Sequence, residues 1–215
     1  MPRSGLTSTA VTLAAAELVD ERGVASLTPA AVAHRTGVTS PSLYKHVHGL
    51  AELRSRLAVL VVNEMTERLR TAGAGRSGED ALRAGMLAYR DYVVAHPHRY
   101  AALPQAVPDD PHLVAAAGRM LDAVSALLRG YGLRDSAAVH AARCFRAAAH
   151  GFASLQAVGG FGLPHDLDAS YAQLVDALVL SMARATPGGY APGTAPSTPE
   201  GSVSETSGEP DCEQM

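Results

Sequence analysis

No run of about 18 apolar residues occurs in the 215-residue chain, which excludes a simple transmembrane helix from the sequence reading. The opening MPRSGLTSTAV lacks the basic region and long apolar core of a signal peptide, so a cytoplasmic protein is the expectation. Cysteine is scarce: Cys144 falls within a helical pattern and Cys212 in a polar tail, a poor disulfide framework. Aromatics make up 5% of residues and Trp is absent, which disfavours a sheet built on aromatic and β-branched side chains. What is present is 47% hydrophobic residues with abundant Ala, enough for a real core of helices packed at close range. The fold class expected is all-α.

A net charge of −3 argues against a nucleic-acid partner until its distribution is read. Residues 186–215 carry five acidic residues and no Lys or Arg, whereas residues 1–56 carry six Lys or Arg against four Asp or Glu. The positive charge therefore lies at the front. The end segment is also rich in Pro, Gly, Ser and Thr, and is expected to be a disordered acidic tail.

Apolar periodicity places a first helix from about Thr7 to Arg22, on Val11, Ala14, Ala15, Leu18 and Val19, stopped by Gly23. Thr28 and Pro29 open a second helix that Gly37 ends, Thr39 and Pro41 open a third, and a fourth runs from about Leu50 to Arg70. Longer helices follow over Ala81–Ala95, Asp110–Arg129, Ser136–Val158 and Asp168–Arg184, with HPHRYAALPQAVPDDP among the separators. The expected domains are 1–49, 50–185 and the tail 186–215.

Two short helices meeting at a Gly-containing turn form a helix-turn-helix when the crossing residues are small and the inward positions apolar. Ala33 suits the crossing, and Val32, Val38, Leu43 and Val47 the inside, which turns Thr39, Ser40, Ser42, Tyr44, Lys45 and His46 outward. Hydroxyls and helix N-terminal N–H groups bind phosphate oxygens, and a Lys reaches a phosphate or a base edge. The same shape also serves proteins that never touch DNA.

Residues 10–58 resemble the N-terminal segment of TetR-family transcriptional regulators, through Ala14-Ala15 before Glu17-Leu18, Glu21 to Gly23, Val32-Ala33, Gly37-Val38-Thr39 and Leu43-Tyr44-Lys45-His46-Val47. The resemblance implies DNA contacts by Thr28, Thr39, Ser40, Pro41, Ser42, Tyr44, Lys45 and His46, with Tyr44 at a phosphate. Many members carry a Lys at the start of the fourth helix; Leu50 and Ala51 stand there, which implies weaker backbone contact at that point. Residues 147–179 more loosely resemble the C-terminal domain type named for a Trp-His-Gly motif, with Ala149-His150-Gly151 in its place. It implies ligand sensing without naming a ligand.

In the back half, Tyr171, Leu174, Val175, Leu178 and Met182 form a helical stripe, and the preceding helix is rich in small residues. The pattern suits a homodimer through a four-helix bundle; packing of the stripe within one chain is the alternative. Met86, Tyr89, Tyr92, Met120, Val124, Phe145, His150 and Phe152 could line a pocket for an apolar or aromatic effector. By family analogy the fourth helix would couple that pocket to palindromic or near-palindromic operator DNA.

No enzyme motif, cofactor or metal is expected. His140 and Cys144, spaced i, i+4, are a weak metal signal, and a buried free Cys beside a hydrogen-bonded His is the commoner case. A ligand-binding helical protein with weak or lost DNA binding is the rival reading, motivated by the absent Lys and the acidic tail.

Overall fold

The computed structural model describes residues 6–104 and 110–185, and these residues form helices and connecting turns without a strand. The front consists of α1 (Ser8–Arg22), α2 (Pro29–Arg35) and α3 (Ser40–Leu43). A long α4 (Leu50–Gly73) leads to α5 (Gly78–Ala95), α6 (Pro97–Ala101), α7 (Pro111–Leu128), α8 (Asp135–Ala157) and α9 (Leu167–Ala185). The all-α expectation holds. The expected tail, 186–215, lies outside the described residues.

Local chemistry explains the front. The Thr7 side chain caps α1 by accepting the Ala10 N–H at 3.1 Å, and the stripe Val11, Ala14, Ala15, Leu18 and Val19 is buried. Thr28 caps α2 in the same way through the Ala31 N–H, with Pro29 in the first turn. Gly37, at φ +69°, supplies the left-handed residue of the turn. α3 is a single turn that starts after Thr39, and Leu43 and Val47 are fully buried beside Val32 and Ala33.

α4 begins at Gly49, yet its first turns belong to the front: Leu53 and Leu57 are fully buried, and α4 packs on α1. Its later turns pack on α5 and most extensively on α7. Leu127 of α7 locks this junction. A Cβ at Gly85 would lie 2.4 Å from one Leu127 branch, and one at Gly73 would lie 2.6 Å from the other. The helices approach so closely because both positions lack a side chain.

Two sequence expectations change. HPHRY, read as part of a connection, contains α6: Pro97 at its start has no N–H to extend α5, and His96 (φ −131°, ψ 55°) makes the break. A five-residue helix is too short for periodicity to reveal. The α9 stripe expected at a subunit interface packs within the chain: Tyr171, Val175, Leu178 and Met182 are buried, Leu174 is half-buried, and α9 lies against α5 and α8. The Tyr171 hydroxyl donates to the Met86 carbonyl at 2.7 Å, and its ring meets Phe152 and the Arg90 guanidinium. Its inward face is thus satisfied by its own subunit.

Gly85→Ala is expected to cost about 1–3 kcal/mol by overpacking against Leu127, measured by urea unfolding. Shortening the partner in Gly85→Ala/Leu127→Ala should recover part of the loss relative to additivity. Additive losses would show that the two residues do not share this contact.

Candidate functional site

The helix-turn-helix brings the expected front residues onto one side. Thr28, Thr39, Ser40, Pro41, Tyr44 and Lys45 are exposed, and Ser42 and His46 are half-exposed. The Thr39 side chain makes no capping bond, so its hydroxyl remains available at the N-terminal end of α3. Tyr44 keeps 49% of its surface exposed, a large share for an aromatic side chain. Lys45 is the only lysine in the chain and has no carboxylate partner among the described residues. Arg35 differs: Glu17 and Glu21 of α1 hold its guanidinium, fixing α2 on α1.

The start of α4 carries charge of the opposite sign. The Glu52 carboxylate accepts the His48 backbone N–H at 2.6 Å and pairs with Arg56. The N–H first, and then Arg56, holds the Glu52 pKa below the usual carboxylate range. That N–H is therefore committed at the point where the sequence lacks the family's Lys.

A cavity of about 820 Å³ lies in the back half, walled by α4 to α8. Tyr89, Met120, Val124, Phe145 and His150 of the expected set line it. Met86, Tyr92 and Phe152 do not. Met86 is fully buried in the core, and Phe152 packs on Phe161 and Tyr171. Tyr92 borders a smaller cleft, where its hydroxyl donates to Glu64 at 2.7 Å.

At the polar end of the large cavity, the Tyr89 and Tyr100 hydroxyls are 2.6 Å apart, and the Tyr100 hydroxyl lies 2.5 Å from His150 Nδ1. Ser154 Oγ lies 3.3 Å from the same nitrogen. Burial pushes both phenols' pKa values up, so they are neutral hydrogen-bonding groups at neutral pH. Tyr100, Ser154 and Arg146 were not foreseen from sequence. Arg146 lies four residues before His150, and that helical spacing was the available signal.

α6 joins this cavity to the front. Pro97, His98, Tyr100 and Ala101 line the cavity, while Arg99 from the same turn reaches away to Asp20 of α1 and Glu64 of α4. Its Nη1 lies 2.8 Å from Glu64 Oε2, and its Nε donates to Asp20 Oδ1 at 3.1 Å. The His98 Nδ1–H donates to the Asp20 carbonyl at 3.0 Å, since a carbonyl only accepts. Burial opposes the Arg99 charge, but the two carboxylates outweigh it and hold its pKa above the ordinary value. Arg99 is 12% exposed. Sequence reasoning missed it because nothing in HPHRY points to carboxylates dozens of residues away.

The weak metal signal does not develop. Cys144 and His140 are both exposed rather than buried, and among the described residues no three His, Cys, Asp or Glu gather into a metal-binding group. No helix of the described residues is long and apolar enough to cross a membrane.

Comparison with known proteins agrees with this geometry. Residues 82–178 match the family described as the tetracyclin repressor-like C-terminal domain. The uncharacterized HTH-type transcriptional regulator Rv0681 of Mycobacterium tuberculosis is 37% identical over 171 residues, covering 78% of each chain. The similarly described YobS of Bacillus subtilis is 32% identical over 168 residues, covering 77% of this chain and 87% of that one. The fold also resembles that of TetR-Q116A from Acinetobacter baumannii AYE in complex with minocycline, at a TM-score of 0.66 and 23% identity over 85% of this chain and 98% of that one. With an N-terminal helix-turn-helix, a matching C-terminal domain and relatives similar over most of their length, the chain belongs to the TetR family of transcriptional regulators.

Proposed function

We propose that the protein is a repressor that binds palindromic or near-palindromic operator DNA as a homodimer and is released from it by a small, mostly apolar effector. The observation that carries the ligand-responsive part is the double use of α6: four of its five residues wall the cavity, and the fifth, Arg99, holds α1. An occupant that displaces α6 moves the anchor of the DNA-binding front. Two recognition elements must reach major grooves about one helical turn apart, or a multiple of it, so a changed separation weakens binding. The complex of the Acinetobacter fold neighbour with minocycline supports a ligand-binding role for this fold.

In this reading Thr28, Thr39, Ser40, Pro41, Ser42, Tyr44, Lys45 and His46 contact DNA, with Tyr44 on phosphate and Lys45 at a base edge. Tyr89, Met120, Val124, Phe145 and His150 contact the effector. The second subunit packs on the outward faces of α8 and α9, because the inward α9 stripe is already used. Cys144, Ala147, Gly151 and Leu155 share the outward side of α8, and Gln173, Ala177 and Leu180 that of α9. Leu155 is 49% and Leu180 59% exposed, and the small residues between them allow close helix approach.

Glu52 favours a second reading, a ligand-binding helical protein with weak or lost DNA binding, since its carboxylate at the start of α4 repels phosphate. Binding of the full chain to DNA from its own upstream region, against a scrambled duplex at near-physiological salt, separates the two. The repressor reading requires preference for the native duplex at two subunits per site.

Tyr44→Phe should weaken the native and scrambled duplexes by a similar factor, about tenfold for loss of one hydrogen bond to a charged oxygen. Lys45→Ala should reduce the ratio between them. Parent-like binding by both variants would remove this face from the DNA contact.

In sedimentation at micromolar concentration, the chain is expected at twice its own mass. Ala147→Glu/Leu180→Glu should run at the single-chain mass with unchanged helicity. A dimer that survives this change would place the interface elsewhere.

A further inference from the structure

The large cavity is chemically one-sided. Among the described residues its lining contains no Asp or Glu, and its ionisable side chains are Arg146, His98, His150, Tyr89 and Tyr100. Arg146, a solvent-exposed side chain at the cavity's border, differs from the arginines held closer to the core. Arg83, Arg90 and Arg99 each pair with a carboxylate, whereas Arg146 has no ion pair among the described residues. Its charge instead acts on the Tyr89 and Tyr100 hydroxyls, opposing the rise in pKa that burial imposes on them. An unpaired cation thus borders the chain of hydrogen bonds at the polar end.

That chain has a proton to spare. Tyr89 and Tyr100 each bring an O–H proton and the His150 ring at least one N–H, and the two bonds joining the three groups use two. If the chain runs from Tyr89 to His150, the free donor is His150 Nε2–H; if it runs the other way, the free donor is the Tyr89 hydroxyl. Either direction leaves a donor and no ionised acceptor, and Ser154 adds a further hydroxyl. The remaining wall is apolar, from Val62, Met65, Val93, Leu113, Met120 and Val124 among others. The cavity's volume of about 820 Å³ falls within the range of small-molecule sites.

We infer that the effector is a hydrophobic monoanion: a carboxylate on an extended apolar body, its charge at Arg146 and the Tyr100–His150 end and its body along α4 and α7. The inference rests on the proposed use of this cavity as the effector site and adds the sign of the ligand's charge. A cation of the same shape meets Arg146 with no acidic residue among the described lining residues to offset it. An uncharged analogue loses the charge-assisted bonds, which are roughly twice as strong as neutral ones.

The test is titration calorimetry of the full chain at pH 7 with three ten-carbon probes, decanoate, decan-1-ol and decylammonium. Decanoate should bind about 10–100-fold more tightly than decan-1-ol, as expected for one charge-assisted contact, and decylammonium most weakly. Arg146→Gln should bring decanoate down to the level of decan-1-ol while leaving decan-1-ol unchanged, which also reports an intact cavity. Arg146→Lys should keep most of the preference. Equal affinity of the parent for decanoate and decan-1-ol would overturn the anionic class and leave the cavity as a ligand site, and a preference that survives Arg146→Gln would overturn the placement of the charge at Arg146. Met120→Trp narrows the cavity and should weaken binding of all three; undiminished binding would overturn both the class and the site.

Discussion

The structure turns on one guanidinium. Arg99 projects from a five-residue helix to the carboxylates of Asp20 and Glu64, so one side chain ties together α1, α4 and α6. A charge removed from water is tolerated only when its partners are close and its donors are used. Arg99 meets that condition with two carboxylates, and His98 adds a bond to the Asp20 backbone. The front therefore does not hang from α4 alone. It is also pinned to the wall of the cavity.

Close packing makes the pin mechanically useful. Leu127 sits between Gly73 and Gly85, which leaves little slack among α4, α5 and α7. Arg90, 9% exposed at its side chain, secures the opposite end by bonding Gln156 of α8 and Asp168 of α9. Between these fixed points the cavity is bordered by α6, the shortest α-helix among the described residues of the back half. In the proposed mechanism an occupant displaces this wall, and the displacement would reach α1 through Arg99. The same two ends separate the roles of α8 and α9: their inward faces complete the subunit, and their outward faces, with Leu155 and Leu180 exposed, are the ones assigned to the second copy in the proposed homodimer.

The helices of the front were legible because their signals are local. Thr7 and Thr28 do cap α1 and α2, and Gly37 does take positive φ. The long helices of the back half were legible from periodicity, to within a few residues at their ends. α6 was not, since five residues complete little more than one turn. The stripe from Tyr171 to Met182 shows a different limit: periodicity identifies a buried face but not whether it is buried by its own chain or by another. The pocket residues show the same limit. Met86, Tyr92 and Phe152 have suitable chemistry but face the core, a second cleft and a neighbouring ring cluster, and only the helix crossings decide this. Arg99 and Arg146 look alike in sequence; three-dimensional partners make one an anchor and leave the other unpaired.

The most direct measurement of this coupling is amide hydrogen exchange of the full chain, comparing the parent with Arg99→Gln. If Arg99 links the cavity wall to the DNA-binding front, its loss will raise exchange together in α6 and in the C-terminal turns of α1 around Asp20, with α8 and α9 unchanged. Faster exchange confined to α6, with α1 as protected as in the parent, would contradict the account and return the coupling to α4 alone.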